Sequence, residues 1–288
     1  MKLYFTNEHD YPVNLLHFLQ KENNVSRRLI TKLKRQPMGI TCDGKLIRTI
    51  DDVPSMAQVI LDITDETEII PNSELNVPIV FENDSLVVFN KPQGMPVHPS
   101  LNHYYDTLGN YFSYLYPGIT FRPVNRLDRN TSGLVVVAKN QHSAGKLQRA
   151  VKKVYYAVVC GRPEKTTGVI DAPIKRQEES LITRCVASDG QRAVTNYSLI
   201  SSCGKYSYVR ILLETGRTHQ IRVHFSYIGN ALAGDDLYGG NCEDIQGQAL
   251  HCGEISFPGQ KKDEIIHLSS SPGENINYLF EKYNFTEI

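Results

Sequence analysis

The chain has 288 residues, of which 41% are hydrophobic and 22% are charged, and its formal net charge is zero. These proportions are ordinary for a soluble globular protein, and the length suits one large domain and a small one. No apolar run approaches the ~20 residues that a membrane-spanning helix requires, and the first ten residues lack the apolar segment of a signal peptide. We therefore expect a cytoplasmic protein without a membrane partner.

The neutral total conceals charges that are sorted into blocks. Residues 26–48 hold seven basic residues and one acid, residues 51–84 hold nine acids and no base, and residues 139–162 hold six basic residues and no acid. A polyanion responds to the local field of a protein rather than to its net charge. The zero net charge therefore does not exclude a nucleic-acid partner.

The first 64 residues are predicted to form a small α/β module. Apolar residues recur with helical spacing within residues 15–19, and Ser26 is a good N-cap for a second helix. Pro37 and Gly39 should end that helix, and two short strands are expected around the turn at Asp43-Gly44.

One face of the second predicted helix is basic, because Arg28, Lys32 and Arg35 follow each other at i, i+4 and i+7. A solvated surface is the ordinary explanation for such a stripe. Residues 25–47, however, resemble the S4 RNA-binding module in the order of their elements and in the placement of their basic residues. The resemblance implies that Arg27, Arg28 and Lys32 contact phosphates, and we assign Arg35 to the same surface.

Residues 65–77 are acidic, contain Pro71, and are interpreted as a linker. Residues 78–288 are then expected to form the catalytic domain, which begins with a hairpin around Asn83-Asp84.

The segment of residues 122–140 carries the most informative motif. Asp128 stands among three arginines, and the short, β-branched run of residues 134–138 that follows predicts a buried strand. Considered alone, a triplet such as Arg126-Leu127-Asp128 is more often a structural ion pair than a catalytic site. With its neighbours it resembles the HRLDxxTSG signature of the pseudouridine synthases related to RluA and RluD, although Asn125 replaces the usual histidine.

Other motifs of that family follow in family order. Residues 90–94 resemble its NKPxG element, and we assign no chemistry to Lys91 there. The sequence KKVYYAVVCG resembles KxYxAxVxG, which makes Tyr155 the active-site tyrosine. Residues 216–224 match GRxHQIRxH without a gap, and they are expected to lie on a helix.

The resemblance implies the roles of four residues. Asp128 would be the catalytic carboxylate, and Arg222 would pair with it and keep it ionised. Tyr155 would stack on the base and later relay a proton. A uridine within paired RNA must leave the stack, and Arg126 is placed to fill the gap or to hold a phosphate.

The remaining motifs are interpreted as architectural. They are GDxxYG at residues 234–239 and the Leu250-His251 pair. The spacing of His219 and His224 does not fit a metalloprotease, and the six cysteines match no zinc pattern, so no metal is expected.

The resemblance implies an α+β protein with the pseudouridine synthase fold, a mixed and largely antiparallel sheet with flanking helices, preceded by the S4-like module. The implied reaction isomerises uridine to pseudouridine in structured RNA, needs no cofactor, and favours ribosomal RNA over transfer RNA as the substrate. We expect a monomer.

Two alternatives remain open. An RNA-binding protein that has lost catalysis is suggested by Asn125, because asparagine carries no proton near neutral pH. A retaining glycosidase would need two carboxylates in one cleft, and only one motif acid is evident. The route by which Asp128 would act also stays open, between stabilising the positive C1′, attacking it and removing a neighbouring proton.

Overall fold

The computed structural model describes residues 2–62, 69–148, 150–178, 180, 182–259 and 263–287. Residues 65–68 of the expected linker and the side chain of Arg28 lie outside this described part. The chain divides into two compact units, residues 1–75 with 98–118, and residues 76–97 with 119–288. Within the described ranges, no helix has the length and apolar character needed to cross a membrane.

The first unit is built on a small antiparallel sheet. Its elements are β1 (Lys2–Thr6), β2 (Val13–Asn14), α1 (Leu15–His17), a π-helical turn (Phe18–Glu22), α2 (Arg27–Leu33), β3 (Ile40–Cys42), β4 (Lys45–Leu46), β5 (Asp52–Val53), β6 (Gln58–Asp62) and α3 (Leu108–Leu115). The sheet order is β1-β6-β3-β4, and β2 pairs with β5. Apolar side chains of α1, α2 and the sheet share one core, so this unit has an interior of its own.

Local signals in the first unit act as predicted, with one exception. The Ser26 hydroxyl accepts the Leu29 N–H at 3.2 Å and begins α2, and Ile30 and Leu33 are buried. The two strands β3 and β4 flank the Asp43-Gly44 turn, where both residues have the positive φ that a tight hairpin requires. The basic stripe does not lie on one helix, because α2 ends at Leu33 and Arg35 falls in the following turn.

Residues 98–118 group with the first unit rather than with the expected catalytic domain. Their hydrogen bonds explain this: the Asn110 amide donates to the carbonyls of Ile70 at 2.7 Å and Tyr104 at 2.9 Å. Asn72 bonds back to the Asn110 carbonyl at 3.1 Å and the Tyr105 carbonyl at 2.8 Å. Such pairing across a long sequence separation leaves no periodic signal in the sequence.

The second unit contains the large sheet. Its elements are β7 (Ile79–Glu82), β8 (Leu86–Lys91), β9 (Arg122–Pro123), β10 (Ser132–Ala138), α4 (Gln141–Leu147), β11 (Lys152–Cys160), β12 (Thr167–Asp171), β13 (Ile174–Arg176), β14 (Arg184–Val186), β15 (Val194–Ser202), β16 (Tyr206–Leu213), α5 (Gln220–Tyr227), a 3₁₀ turn (Asp236–Tyr238), β17 (Leu250–Pro258), β18 (Ile265–Ser269), α6 (Glu274–Lys282) and β19 (Thr286–Glu287). The main strand order is β12-β15-β16-β11-β17-β10-β8-β7. This mixed, largely antiparallel sheet confirms the predicted α+β fold class.

The strand β10 lies inside this sheet. All seven of its residues are buried, as the apolar run predicts. It pairs antiparallel with β8, and Ser132 and Gly133 at its beginning pair in parallel with β17. A Cβ on Gly133 would lie 2.3 Å from the Cys252 carbonyl oxygen, so only glycine allows this approach. The loop that precedes β10, which carries Asp128, therefore ends against β17.

Candidate active site

The loop before β10 is fastened to the sheet by Asn125. This side chain is 6% exposed; its amide donates to the Leu134 carbonyl at 3.0 Å and its oxygen accepts the Val136 N–H at 2.9 Å. Asn125 thus completes the hydrogen bonds of β10 as another strand would. A further turn bond, from the Thr131 N–H to the Asp128 carbonyl at 3.0 Å, shapes the loop around the catalytic candidate. The substitution of asparagine for histidine is therefore compatible with a structural task at position 125.

Lys91, to which no role was assigned, holds the same loop from the other side. Its side chain is fully buried, and its Nζ atom lies within hydrogen-bond distance of the carbonyl oxygens of Pro92 at 2.8 Å, Met95 at 2.7 Å and Arg129 at 3.1 Å. The bond to Arg129 fixes the residue that follows Asp128. Burial lowers the pKa of Lys91 to about 7, against the opposing attraction of Asp128. Lys91 is therefore a positioning residue for the loop.

We expect Lys91→Met to change how stability depends on pH. Because the folded pKa of Lys91 lies near 7, below its ordinary 10.5, the unfolded chain holds a proton between these values that the folded protein has released. This group's contribution to stability therefore rises with pH in that window, by at most about 1.4 kcal/mol per pH unit. The free energy of unfolding of the parent, measured in urea between pH 7.5 and 9.5, should rise relative to Lys91→Met.

The control is Lys146→Met, which removes an exposed lysine of α4. Its unfolding free energy should follow that of the parent at every pH. Parallel curves for the parent and Lys91→Met would show that Lys91 does not titrate in this window.

Asp128 and Arg222 lie together, and a second carboxylate completes the group. The Arg222 Nη1 atom is 3.5 Å from Asp128 Oδ2, but the guanidinium makes two 2.7 Å bonds to the fully buried Asp235 through Nε and Nη2. Burial opposes the charge of Arg222, yet the bonds and attraction of Asp235, with the attraction of Asp128, raise its pKa. Asp235 therefore holds the arginine, and the architectural interpretation of its motif is too narrow.

His219 is the second group beside Asp128, with Nε2 3.7 Å from Oδ2. The helix α5 begins at Gln220, one turn later than predicted, and His219 precedes it with a left-handed φ of 58°. Such a φ is costly for a residue with a side chain and is common at functional sites. Here it directs the imidazole toward Asp128 instead of along the helix.

Tyr238 supports both His219 and Arg222. Its hydroxyl lies 2.8 Å from His219 Nδ1 and accepts the Arg184 N–H at 2.9 Å, and its ring lies 4.9 Å from the Arg222 guanidinium carbon. Burial lowers the pKa of His219, although the attraction of Asp128 opposes the shift, and the lowered pKa favours the neutral ring. The Tyr238 hydroxyl is free to donate its hydrogen to Nδ1, and the ring then carries its own proton on Nε2, facing Asp128.

Tyr155 lies on the neighbouring strand β11. The register between β11 and β17 shifts between Val154 and Tyr155, an irregularity that often redirects a side chain at a site. Its hydroxyl bonds with the thiol of Cys252, and burial raises the pKa of Tyr155 well above the ordinary value. Burial likewise raises the pKa of Cys252 to about 12. Tyr155 is therefore a neutral phenol at neutral pH.

These side chains surround one cavity of about 70 Å³. Its lining residues are Arg126, Leu127, Asp128, Thr131, Tyr155, Leu213, Arg217, His219, Gln220, Ile221, Arg222 and Leu250. Asp128 is the one acid among these lining residues, beside Arg126, Arg217 and Arg222. A carboxylate at this position can stabilise positive charge that develops on a substrate, and the apolar lining side chains can bury a ring.

The structure brings together Asp128, Tyr155, Arg222 and Arg126, as the sequence predicts. The other predicted RNA-contacting residues, Arg27, Arg28, Lys32 and Arg35, belong to the first unit; the Arg28 side chain lies outside the described part. Asp235, Tyr238 and His219 were not predicted as parts of the site, although all three lie in motifs that the sequence contains. The acid directly after Gly234 in a glycine-bounded motif was the one signal that could have indicated Asp235.

Comparisons with known proteins agree with this geometry. The sequence model of the family described as RNA pseudouridylate synthase matches residues 85–227. The chain is 36% identical over 247 residues to the Bacillus subtilis protein named "Uncharacterized RNA pseudouridine synthase YjbO", covering 82% of this chain and 87% of that protein. It is 39% identical over 213 residues to the protein of Pseudomonas aeruginosa named "Ribosomal large subunit pseudouridine synthase D", covering 70% of this chain and 66% of that one.

The solved structure entitled "Human RNA Pseudouridylate Synthase Domain Containing 1" superimposes with a TM-score of 0.56 and 27% identity, covering 70% of this chain and 85% of that chain. The predicted pseudouridine synthase fold and the resemblance to RluA and RluD are thereby confirmed. Because sequence relatives align over most of both chains and the fold agrees, this chain belongs to the RNA pseudouridylate synthase family and is an RNA pseudouridine synthase, an isomerase that acts on uridine in RNA.

Proposed function

We propose that this synthase modifies structured ribosomal RNA with Asp128 as its catalytic carboxylate. The observation that carries the proposal is the position of Asp128, whose side chain is 33% exposed to the cavity while Arg222 and His219 approach the same oxygen from within. That arrangement leaves one carboxylate edge free for a substrate and holds the other. A relative named for the ribosomal large subunit supports rRNA as the substrate.

The reaction breaks the N1–C1′ bond of uridine, turns the uracil, and joins C5 to C1′. C5 loses its hydrogen as a proton and N1 gains a proton, so the atoms balance. Positive character develops at C1′, and an ionised carboxylate stabilises it, attacks it or removes a neighbouring proton. Arg222 would orient Asp128 for each of these routes, and Arg126 would occupy the gap left by the flipped uridine.

Neither alternative gains support from the site. Asn125 uses its amide and its oxygen on the backbone of β10, so the loss of a histidine proton there does not argue for a loss of catalysis. A retaining glycosidase needs a second available carboxylate, and Asp235 is fully buried and bonded twice to Arg222.

The direct test is to map pseudouridine across total RNA from cells with and without this protein. We expect a uridine in rRNA to lose its modification and to regain it from the purified protein. Release of tritium from uridine labelled at C5 measures the same reaction in vitro, since the new bond displaces that hydrogen. A modified site found only in tRNA would contradict the rRNA assignment but not the activity.

Tyr155→Phe should separate the ring from the hydroxyl. We expect the variant to bind RNA normally and to release C5 tritium roughly 10²-fold more slowly, because the stacking ring remains but the hydroxyl that relays the C5 proton is lost. The control is Tyr156→Phe, whose hydroxyl bonds with Glu254 and which should act at the parental rate. Parental activity in Tyr155→Phe would leave the residue with a stacking role alone.

The second part of the proposal is that residues 1–64, an S4-like module, bind RNA phosphates. Exposed Arg27 begins α2, Lys32 lies in its last turn, and exposed Arg35 lies in the turn that follows the helix. Replacing all three by glutamine in the full chain should weaken RNA binding and reduce the slope of log affinity against log salt by up to about 2.7, at about 0.9 per phosphate contact.

Point substitutions suit this test better than deletion, because residues 98–118 belong to the same compact unit. The control replaces Lys146, Arg162 and Lys165 by glutamine, which are exposed residues of the second unit. Equal salt slopes for the parent and the Arg27, Lys32 and Arg35 variant would mean that these residues are a solvated surface. For the whole protein we propose a monomer that acts in the cytosol, with the substrate RNA as its partner.

A further inference from the structure

A second and larger cavity lies beside the active site in the same unit. It measures about 410 Å³ and is lined by residues of β13, β14 and the loop before α5. Arg217 lines both this cavity and the one that holds Asp128. The two cavities are therefore neighbours. An RNA strand that leaves the first cavity past Arg217 would meet the second.

Among the described residues that line the second cavity, four are basic and one is an acid. Lys175 is paired with Asp189 at 3.0 Å. For the arginines that line the cavity, Arg176, Arg184 and Arg217, the described part of the chain offers no carboxylate within ion-pair distance. The described lining of the cavity thus contains three arginines and a single acid, Asp189, which is already paired with Lys175. Such a space attracts an anion.

Two of these guanidinium groups are held in place by the backbone. The Arg184 Nη1 atom donates to the carbonyls of Ile182 at 2.9 Å and Thr183 at 3.0 Å, and Arg217 Nε donates to the Arg192 carbonyl at 3.0 Å. Within the described residues, the remaining N–H groups of these two forks make no other hydrogen bond. A guanidinium that is already oriented loses less side-chain freedom on binding, and its fork matches the oxygens of a phosphate.

We propose that this arginine cavity, defined by Arg176, Arg184 and Arg217, binds a backbone phosphate of the RNA strand adjacent to the target uridine. A uridine that is turned out of its stack needs its neighbouring backbone held, and phosphate contacts supply that hold without reading sequence. The inference rests on the proposed function only in placing the target uridine at Asp128.

The antiparallel pair β13–β14, which carries Arg176 and Arg184, connects the arginine cavity to the group around Asp128. The Arg184 N–H is bonded to the Tyr238 hydroxyl at 2.9 Å, which in turn lies 2.8 Å from His219 Nδ1. A phosphate that fixes the Arg184 side chain therefore also steadies the backbone that supports the tyrosine and histidine beside Asp128. Binding energy from outside the reacting base would thus help to orient the site.

The test combines a change in the protein with a change in the RNA. Arg176→Gln with Arg184→Gln removes two charges but keeps the Arg184 N–H. The RNA is a short stem-loop in which each phosphate within three nucleotides of the target uridine is replaced, one at a time, by an uncharged methylphosphonate. For the parent protein, one replacement should raise KM about tenfold or more, which is typical of a lost hydrogen bond to a charged group.

In the double variant, KM on unmodified RNA should rise by a similar factor, and the sensitive methylphosphonate should then change KM less than about twofold, because its partner is already gone. Replacing both arginines by lysine should restore part of the affinity, since charge returns without the fork. The matched control is Arg162→Gln, an exposed arginine outside both cavities, which should behave like the parent.

Three outcomes overturn the proposal. The first is that no methylphosphonate loses its effect in the double variant. The second is that the lysine variant, folded by its unfolding temperature, recovers nothing. The third is that inorganic phosphate inhibits the parent but not the double variant while no methylphosphonate has an effect, which would assign the cavity to a free anion. Failure of the Asp128 proposal would be recognised separately, by activity remaining in Asp128→Asn.

Discussion

Asp128→Asn is expected to abolish turnover while folding and RNA binding survive. The amide preserves the volume of the carboxylate but removes its charge and its basicity, so the rate should fall by roughly 10³-fold or more. Because the Asp128 side chain is 33% exposed and its neighbour Arg222 keeps both bonds to Asp235, the unfolding temperature should change little. The measurement is tritium release from C5 under single-turnover conditions, with RNA affinity measured in parallel.

The control for this variant is Asp236→Asn, which changes an exposed acid in the turn that also carries Tyr238. It should retain the parental rate. If Asp128→Asn keeps a rate within tenfold of the parent, Asp128 is not the catalytic group and the cavity has another use.

Asp235→Asn should damage both stability and rate, although Asp235 itself is closed to solvent. The substitution leaves the buried Arg222 without its bidentate partner, and breaking such a pair typically costs about 3–5 kcal/mol of unfolding free energy. The freed guanidinium would no longer be held at its 3.5 Å distance from Asp128. We therefore also expect kcat to fall roughly 10²-fold at a temperature where the variant is folded, with RNA affinity preserved.

Asp244→Asn separates the two effects, because Asp244 is another acid that is bonded to cations and lies outside the cavity lining. Its side chain is 5% exposed and bonds with Lys205 at 2.8 Å and Lys282 at 2.7 Å. This control should lose stability and keep its kcat. Equal kcat values for the two variants would show that Asp235 serves the fold alone and has no part in orienting Arg222.

A site residue could be predicted from the sequence when it stands in a contiguous motif, and not when its role depends on a partner elsewhere in the chain. Asp128, Tyr155 and Arg222 stand in contiguous motifs, and the structure places all three on one cavity. Asp235 was assigned to architecture because its partner is 13 residues away in sequence, on another element. Nothing in the periodicity of either segment relates a helix side chain to the turn that follows it.

Lys91 and Asn125 are two further residues whose roles depend on partners that the sequence does not reveal. The sequence identifies Lys91 only as part of a turn motif, since the carbonyls that its ammonium binds include that of Arg129, 38 residues later. Asn125 appeared to be a weakness in the catalytic motif. Its two hydrogen bonds to the backbone of β10 show that the Asn125 side chain takes the place of backbone partners. That role does not require a side chain that can carry a proton.

The sequence by itself determined the family, the α+β class, the buried strand β10 and the hairpin β7–β8, because these depend on contiguous motifs and on short apolar runs. Only the tertiary structure decided that β10 pairs in parallel with β17, that His219 leaves the helix with a positive φ, and that residues 98–118 belong with the first unit. Each of these is set by hydrogen bonds and packing between segments far apart in the chain. Their free energy depends on both partners at once, so neither segment records the outcome in its own pattern.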